Sequence, residues 1–390
     1  MCEFLLLLLP LAALLVWYAA RAGGAHDASR STPPKTLPAD YFKGLSYLGS
    51  EQPDEAIDSF ISALEIDSDT IETHLALGNL YRRRGEVDRA IRIHQNLTSR
   101  PALTLEQRAD AMLELGQDYV SAGLLDRAEA WFRELVDRHL HVATALGQLV
   151  EIYEREQEWE SAIGAARRLA ETTGQAWSPR LAHYYCQQAE REQRAGKLEQ
   201  ALGMVRQAYG LHRGSVRASL LEGDILAQSG EDAAALTVYR RVEDQDPSFL
   251  PEAIPRICGC FRRLGRTDEI GAFLRELLHR YGGLTATLAL ADHEQHVHGE
   301  ASALQLLTEQ LRRRPSLRGY QRLVELKLLR TSGECHERLL ILRRLITALL
   351  AERPVYQCQQ CGFPAKSLHW KCPGCRHWDT IKPVQGIDGE

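Results

Sequence analysis

A set of small and aromatic residues returns every 34 to 39 positions, and this recurrence constrains the chain more than any other feature. Ala56, Ala90, Ala128, Ala162, Ala201 and Ala235 recur in step, and Tyr47, Tyr81, Tyr119 and Tyr153 precede the first four. Gly44 and Phe60 complete the first unit, Leu77, Gly78 and Gly85 the second, and Leu115, Gly116, Gly123 and Phe132 the third. Ala189 and Gly196, then Gly223, Gly230, Tyr239 and Pro247, continue the frame. A unit of this length cannot bury its apolar face alone and must stack on its neighbours. The small residues let two antiparallel helices approach, and the large one fills the gap between successive pairs. Gly85, Gly123, Gly196 and Gly230 fall in the turns, where a left-handed backbone is cheap for glycine. Six units fit well, and weaker ones follow around Gly265 and Ala303.

These offsets are those of a tetratricopeptide array, expected over residues 37–353. Such a superhelix presents a concave face to peptides or proteins, and the fold alone names no ligand. In the second unit the usual register turns Asn79, Arg82 and Arg83 toward that face. A basic pair beside an amide suits an acidic segment or a carboxylate, and the same residues also read as a solvated helix face. Between Arg312 and Arg353 the chain is locally basic, although the whole carries a formal charge of -5. Arg312, Arg313, Arg314, Arg318 and Arg322 would meet an acidic partner or an anionic leaflet, or form an exposed face of the last helices. The overall acidity argues against a general nucleic-acid binder. No nucleophile elbow, P-loop or dinucleotide fingerprint is visible, so no enzyme is expected.

Phe4 to Ala20 is an uncharged run of 17 residues, the lower limit for a spanning helix, with Trp17 and Tyr18 at its end. Residues 1–21 are therefore expected to form a transmembrane anchor. A cleaved signal peptide competes through Ala20-Arg21-Ala22, but Glu3 and the lack of a basic start oppose it. Arg21, Arg30 and Lys35 follow the run and place the remainder in the cytoplasm by the positive-inside rule. Residues 22–36 read as a flexible juxtamembrane linker.

The tail, residues 354–390, carries Cys358-x-x-Cys361-Gly and Cys372-Pro-x-Cys375. Each knuckle points two thiolates at one centre, and four give a closed tetrahedral site for one ion, iron or zinc. So short a module cannot bury a sufficient core unaided, so the metal would supply much of its folding energy, about 10–16 kcal/mol for structural zinc. Tyr356, Phe363, Trp370 and Trp378 are the expected core of the module. Cys186 and Cys335 read as solitary buried residues, and Cys258 and Cys260 point apart on one helix. The run Asp292 to His298 lacks the paired histidines of a zincin and reads as a polar helix end.

Anchor, array and four-cysteine tail together resemble the lipopolysaccharide assembly protein B family of Gram-negative bacteria, over essentially the whole chain. The stretches GNLYRRRGEVDRAIRIHQNL and QDYVSAGLLDRAEAWF, and the tail from Tyr356 through Cys375 to IKPVQGIDG, carry the resemblance. It implies an all-α protein: a tetratricopeptide-repeat superhelix with an N-terminal transmembrane helix and a small rubredoxin-like module. It also implies a single-pass protein of the inner membrane with its bulk in the cytoplasm, regulating lipopolysaccharide biosynthesis without being an enzyme. Members are similar to adaptors that help the membrane-bound AAA+ protease FtsH degrade the deacetylase committing precursor to lipid A. Inner-membrane lipopolysaccharide-assembly or signalling proteins and the membrane lipid are further implied partners. Cys358, Cys361, Cys372 and Cys375 carry over as metal ligands; in the second repeat Arg82 and Arg84 match the family pattern and Arg83 departs from it. Two alternatives stay open: an iron-dependent redox protein docking an oxidoreductase through its repeats, and an envelope assembly scaffold.

Overall fold

The computed structural model describes residues 39–49, 56–57, 59–60, 71–387 and 389–390. The expected anchor and linker, 1–21 and 22–36, lie outside the described residues. Among the described residues no helix is long and apolar enough to cross a membrane. The chain divides into two compact units, one ending at Trp131 and one beginning at Phe132.

The first unit holds α1 (Ala39–Gly49), α2 (Ile71–Arg83), α3 (Val87–Thr98), α4 (Leu105–Ser121) and the start of α5 (Leu125–Asp137). Thr104 caps α4 in a reciprocal box: its hydroxyl accepts from the Gln107 N–H, and the Gln107 side chain accepts from the Thr104 N–H. Ala56, Ile57, Phe60, Leu77 and Leu80 form one buried cluster. The glycine logic holds at atomic distance. A Cβ built on Gly44 would stand 2.8 Å from the Phe60 ring, and one on Gly78 only 2.4 Å from the His94 ring. His94 thus fills, 34 residues on, the place that Phe60 fills in the first repeat.

The second unit continues with paired helices. They are α6 (Val142–Glu156) with α7 (Trp159–Thr173), α8 (Ser178–Arg194) with α9 (Leu198–Leu211), and α10 (Val216–Gln228) with α11 (Asp232–Tyr239) and the short α12 (Arg241–Gln245). After a 3-10 turn at Pro247–Phe249 come α13 (Leu250–Arg263) with α14 (Asp268–Arg280), and α15 (Leu284–His298) with α16 (Glu300–Arg313). The series closes with α17 (Leu317–Leu328) and α18 (Glu334–Glu352). The weak units around Gly265 and Ala303 are therefore full helix pairs, although their signature residues have faded. Gly196, Gly230 and Gly265 take φ of 77°, 84° and 69° in the turns, as expected of left-handed positions. The basic residues between Arg312 and Arg322 are largely engaged: Arg322 pairs with Asp292, Arg313 with Glu309, and Arg318 approaches Glu390.

Beyond α18 the chain changes character. Three short strands, β1 (Tyr356–Cys358), β2 (Pro364–Ala365) and β3 (Ile381–Pro383), form an antiparallel sheet in the order β2-β1-β3. Tyr356 pairs with both Ala365 and Pro383, which fixes the register on either side of β1.

Candidate metal centre

The two knuckles are built alike. In the first, the Cys358 N–H donates to the Phe363 carbonyl and the Gly362 N–H to the Cys358 carbonyl. In the second, the Cys372 N–H donates to His377 and the Arg376 N–H to Cys372. Both need a left-handed residue just after the second cysteine. Gly362 supplies it at φ 76°, whereas Arg376 adopts φ 60° against its steric preference.

All four sulfurs lie within 4.8 Å of one another. Cys358 Sγ is 3.7 Å from Cys375 Sγ, and Cys361 Sγ is 3.7 Å from Cys372 Sγ. Disulfide-bonded sulfurs would stand about 2.05 Å apart. Four sulfurs each about 2.3 Å from a shared ion would stand about 3.8 Å apart, so the spacing fits one tetrahedral ion. The donor set accepts iron or zinc alike. Burial raises the Cys358 thiol, but hydrogen bonds from Thr380 and the backbone of Cys361 and Gln360 outweigh it and bring it down to about 6. Cys361 moves the other way, to about 11: the Phe363 backbone lowers it, but burial and the three neighbouring sulfurs prevail. Four crowded thiols cannot all ionise without a cation among them.

The expected core of the module is only half right. Tyr356 and Phe363 do pack against Cys358, Cys372 and Ile381, with Leu368. Trp370 and Trp378 turn outward and join the module to the helices. Trp378 stacks on His183 of α8 at 4.5 Å, meets Tyr184 edge-on, and its Nε1 donates to Glu154 of α6 at 3.3 Å. Trp370 stacks on Phe249 at 5.5 Å and packs against the core between α10 and α15.

Glu154 is the anchor of this seat. Its carboxylate accepts from Arg180 at 2.8 Å, from the Tyr184 hydroxyl, and from Lys371 of the module. Burial alone would raise its pKa, but these three donors hold it down to about 2. Arg217, whose side chain is only 3% exposed, pairs with Glu190 at 2.7 Å and lies within 6.0 Å of both Trp370 and Trp378. The seat extends onward. Asp379 accepts from His183 at 2.6 Å, Lys382 pairs with Asp246 at 2.7 Å, and the Tyr356 hydroxyl donates to Glu252. At the end of the chain the Leu317 N–H donates to Ile387, and the Glu390 carboxylate accepts from the Thr285 N–H at 2.9 Å. The tail thus crosses α6, α8, α10, α13, α15 and α17, the first helices of six consecutive pairs. Beside the second knuckle it leaves a cleft of ≈ 830 Å³ lined by Arg155, Arg180, Arg376 and His377.

Sequence reasoning missed Glu154, His183 and Arg217. Their only local signal is polarity on otherwise apolar helix faces, and their partners lie up to 224 residues away in the chain. The three residues read as facing the groove lie on α2 of the first unit. Arg82 is committed to Glu114 and Asp118 at 2.7 Å each, Arg83 is exposed, and Asn79 Oδ1 is buried with no hydrogen-bond partner. Cys335, read as buried, is exposed at the start of α18, because that helix has no following repeat to cover it. Cys186 is buried as expected, and Cys258 and Cys260, on one helix, are both buried as well.

The comparisons with known proteins agree with this division. Residues 356–383 match the Rubredoxin metal binding domain family. Residues 41–70, 73–108, 113–176 and 186–248 match Tetratricopeptide repeat families. Lipopolysaccharide assembly protein B of Escherichia coli (strain K12) is 38% identical over 390 residues, covering 100% of each chain. The protein of that name in Haemophilus influenzae is 33% identical over 98% of each chain. Repeat frame, four-sulfur tail and full-length identity converge, and the chain belongs to the lipopolysaccharide assembly protein B family.

Proposed function

We propose that this chain is a non-enzymatic adaptor in lipopolysaccharide assembly. It is held in the inner membrane by residues 1–21 with its repeats in the cytoplasm, and it promotes FtsH-dependent proteolysis of the deacetylase that commits precursor to lipid A. Full-length identity to proteins named for lipopolysaccharide assembly supports the pathway. The observation that carries the adaptor reading is the seat of the tail across six first helices, which makes repeats and metal module one composite surface. Such a surface acts by holding partners together, and tethering it to a membrane raises their effective concentration without any new contact. Cys358, Cys361, Cys372 and Cys375 hold one ion, zinc or iron, whose chemistry here is to close the two knuckles. Asn79 and Arg83 contact an acidic segment of a partner, with Arg82 fixing the helix face beside them. Inner-membrane lipid and other lipopolysaccharide-assembly or signalling proteins complete the partner set.

The test is the half-life of the deacetylase after depletion of this protein, with the protease level held constant. Stabilisation of the deacetylase, reproduced by Cys358→Ser, is the expected result. An unchanged half-life overturns the adaptor mechanism.

A further inference from the structure

A solenoid ends well only when its last helix turns a polar face to water. Helix α18 does not. Its inner edge packs through Ile346, Leu339, Leu340 and Leu350 against Val324 and Leu328 of α17. Its outer face carries Ile341, Leu342, Leu345 and Leu349, which are 57%, 43%, 59% and 51% exposed. The tail leaves at Arg353 and covers none of them. The four residues follow helical spacing, so they form one continuous stripe and not scattered surface leucines.

The charges at the ends of the stripe identify what covers it. Arg338 and Glu352 each lie seven residues from Leu345, on the same face, and both are exposed. We propose that α18 pairs antiparallel with α18 of a second copy of this chain, about a two-fold axis passing near Leu345. That arrangement sets Leu345 against Leu345, Ile341 against Leu349 and Leu342 against Ala348. It also sets Arg338 against Glu352 at both ends. Glu337 and Arg353, flanking the stripe, come into register in the same way. A parallel pair would instead oppose arginine to arginine and glutamate to glutamate, so the charges select the orientation as well as the partner. Arg338 already touches Glu334 of its own helix, an exposed pair one turn away that leaves it free to swing to a partner.

The test uses the full chain in detergent with Cys335→Ser as background. Leu345→Cys, on the axis, gives a covalent dimer on mild oxidation. Ile341→Cys and Leu349→Cys give none singly and one when co-expressed. Arg338→Glu or Glu352→Arg lowers the dimer fraction in sedimentation at least tenfold, and the double reversal restores it. The proposal is overturned by a wild-type chain that stays monomeric at tens of micromolar. Self-crosslinking of Ile341→Cys, the mark of a parallel pair, overturns it too. So does a Leu345→Asp variant that keeps its dimer but loses binding to anionic vesicles, which would make the stripe a lipid-facing surface.

Discussion

Two buried carboxylates, each next to a signature tyrosine of the repeat, serve opposite ends. Asp118, preceding Tyr119, accepts from Arg82 at 2.7 Å and from His94 at 2.5 Å, and its side chain is fully buried. Both partners come from the preceding helix pair, so the cluster joins one repeat to the next. Burial disfavours the charged Arg82, yet its bonds to Glu114 and Asp118 raise its pKa. Glu154, following Tyr153, takes two partners, Arg180 and Tyr184, from the neighbouring repeat and two more, Lys371 and Trp378, from a module more than 200 residues away. Asp118 stabilises the array as a stack of neighbours. Glu154 makes part of the same kind of array depend on the folding of something else.

The largest effect expected from breaking this dependence is metal removal. Chelation, or Cys372→Ser, withdraws a folding contribution of about 10–16 kcal/mol if the ion is zinc, so the module unfolds and Trp370 and Trp378 leave their stacks. Near-ultraviolet circular dichroism should lose the part that Trp370 and Trp378 contribute while far-ultraviolet helicity persists. Parallel loss of helicity would show that the repeats cannot stand without the tail.

Glu154→Gln comes next. It leaves Lys371 and Arg180 without their shared anion, at a cost of about 3 kcal/mol, read as easier proteolytic release of residues 354–390. Asp118→Asn should destabilise the first unit by a comparable amount and leave that release unchanged, which sharpens the contrast. The same carboxylate sets a pH window. Its folded pKa of about 2 lies below the ordinary 4.5, so its contribution is complete above about 4.5 and disappears as the pH falls through 2. Tryptophan fluorescence should report undocking across that interval in the wild type and less of it in Glu154→Gln.

How much of this was legible in advance follows from the range of each interaction. The array declared itself because a stack of neighbours must repeat its small residues, and Gly44, Gly78 and Gly223 are needed where rings from the next helix press on them. The four sulfurs declared themselves because one ion demands fixed spacing within each knuckle. The seat did not, because no periodicity ties Glu154 to Lys371 or Arg217 to Trp370. The two tryptophans read as core since a short tail has little else to bury, and their apolar partners lay on helices far off in the chain. Arg82 looked like a free groove residue because Asp118, the anion that occupies it, is 36 positions away.

A smaller effect is expected at Arg217. Replacement by Lys keeps the charge but loses the planar fork toward Glu190 and the two rings, weakening the seat by about 1–2 kcal/mol in chemical denaturation. Smallest is Arg376→Gly, which relieves the left-handed strain of the second knuckle and should stabilise the module by about 1 kcal/mol. A drop in stability there would mean that the Arg376 side chain has a contact outweighing its backbone.

The seat of the tail has a thermodynamic consequence. Docking and metal retention belong to one linked equilibrium, so any ligand that recognises only the docked surface must slow the loss of the ion, and by reciprocity the ion must tighten that ligand by the same factor. For such a ligand the four sulfurs would be an effector site, and the supply of metal would set how much of the protein is competent to bind it.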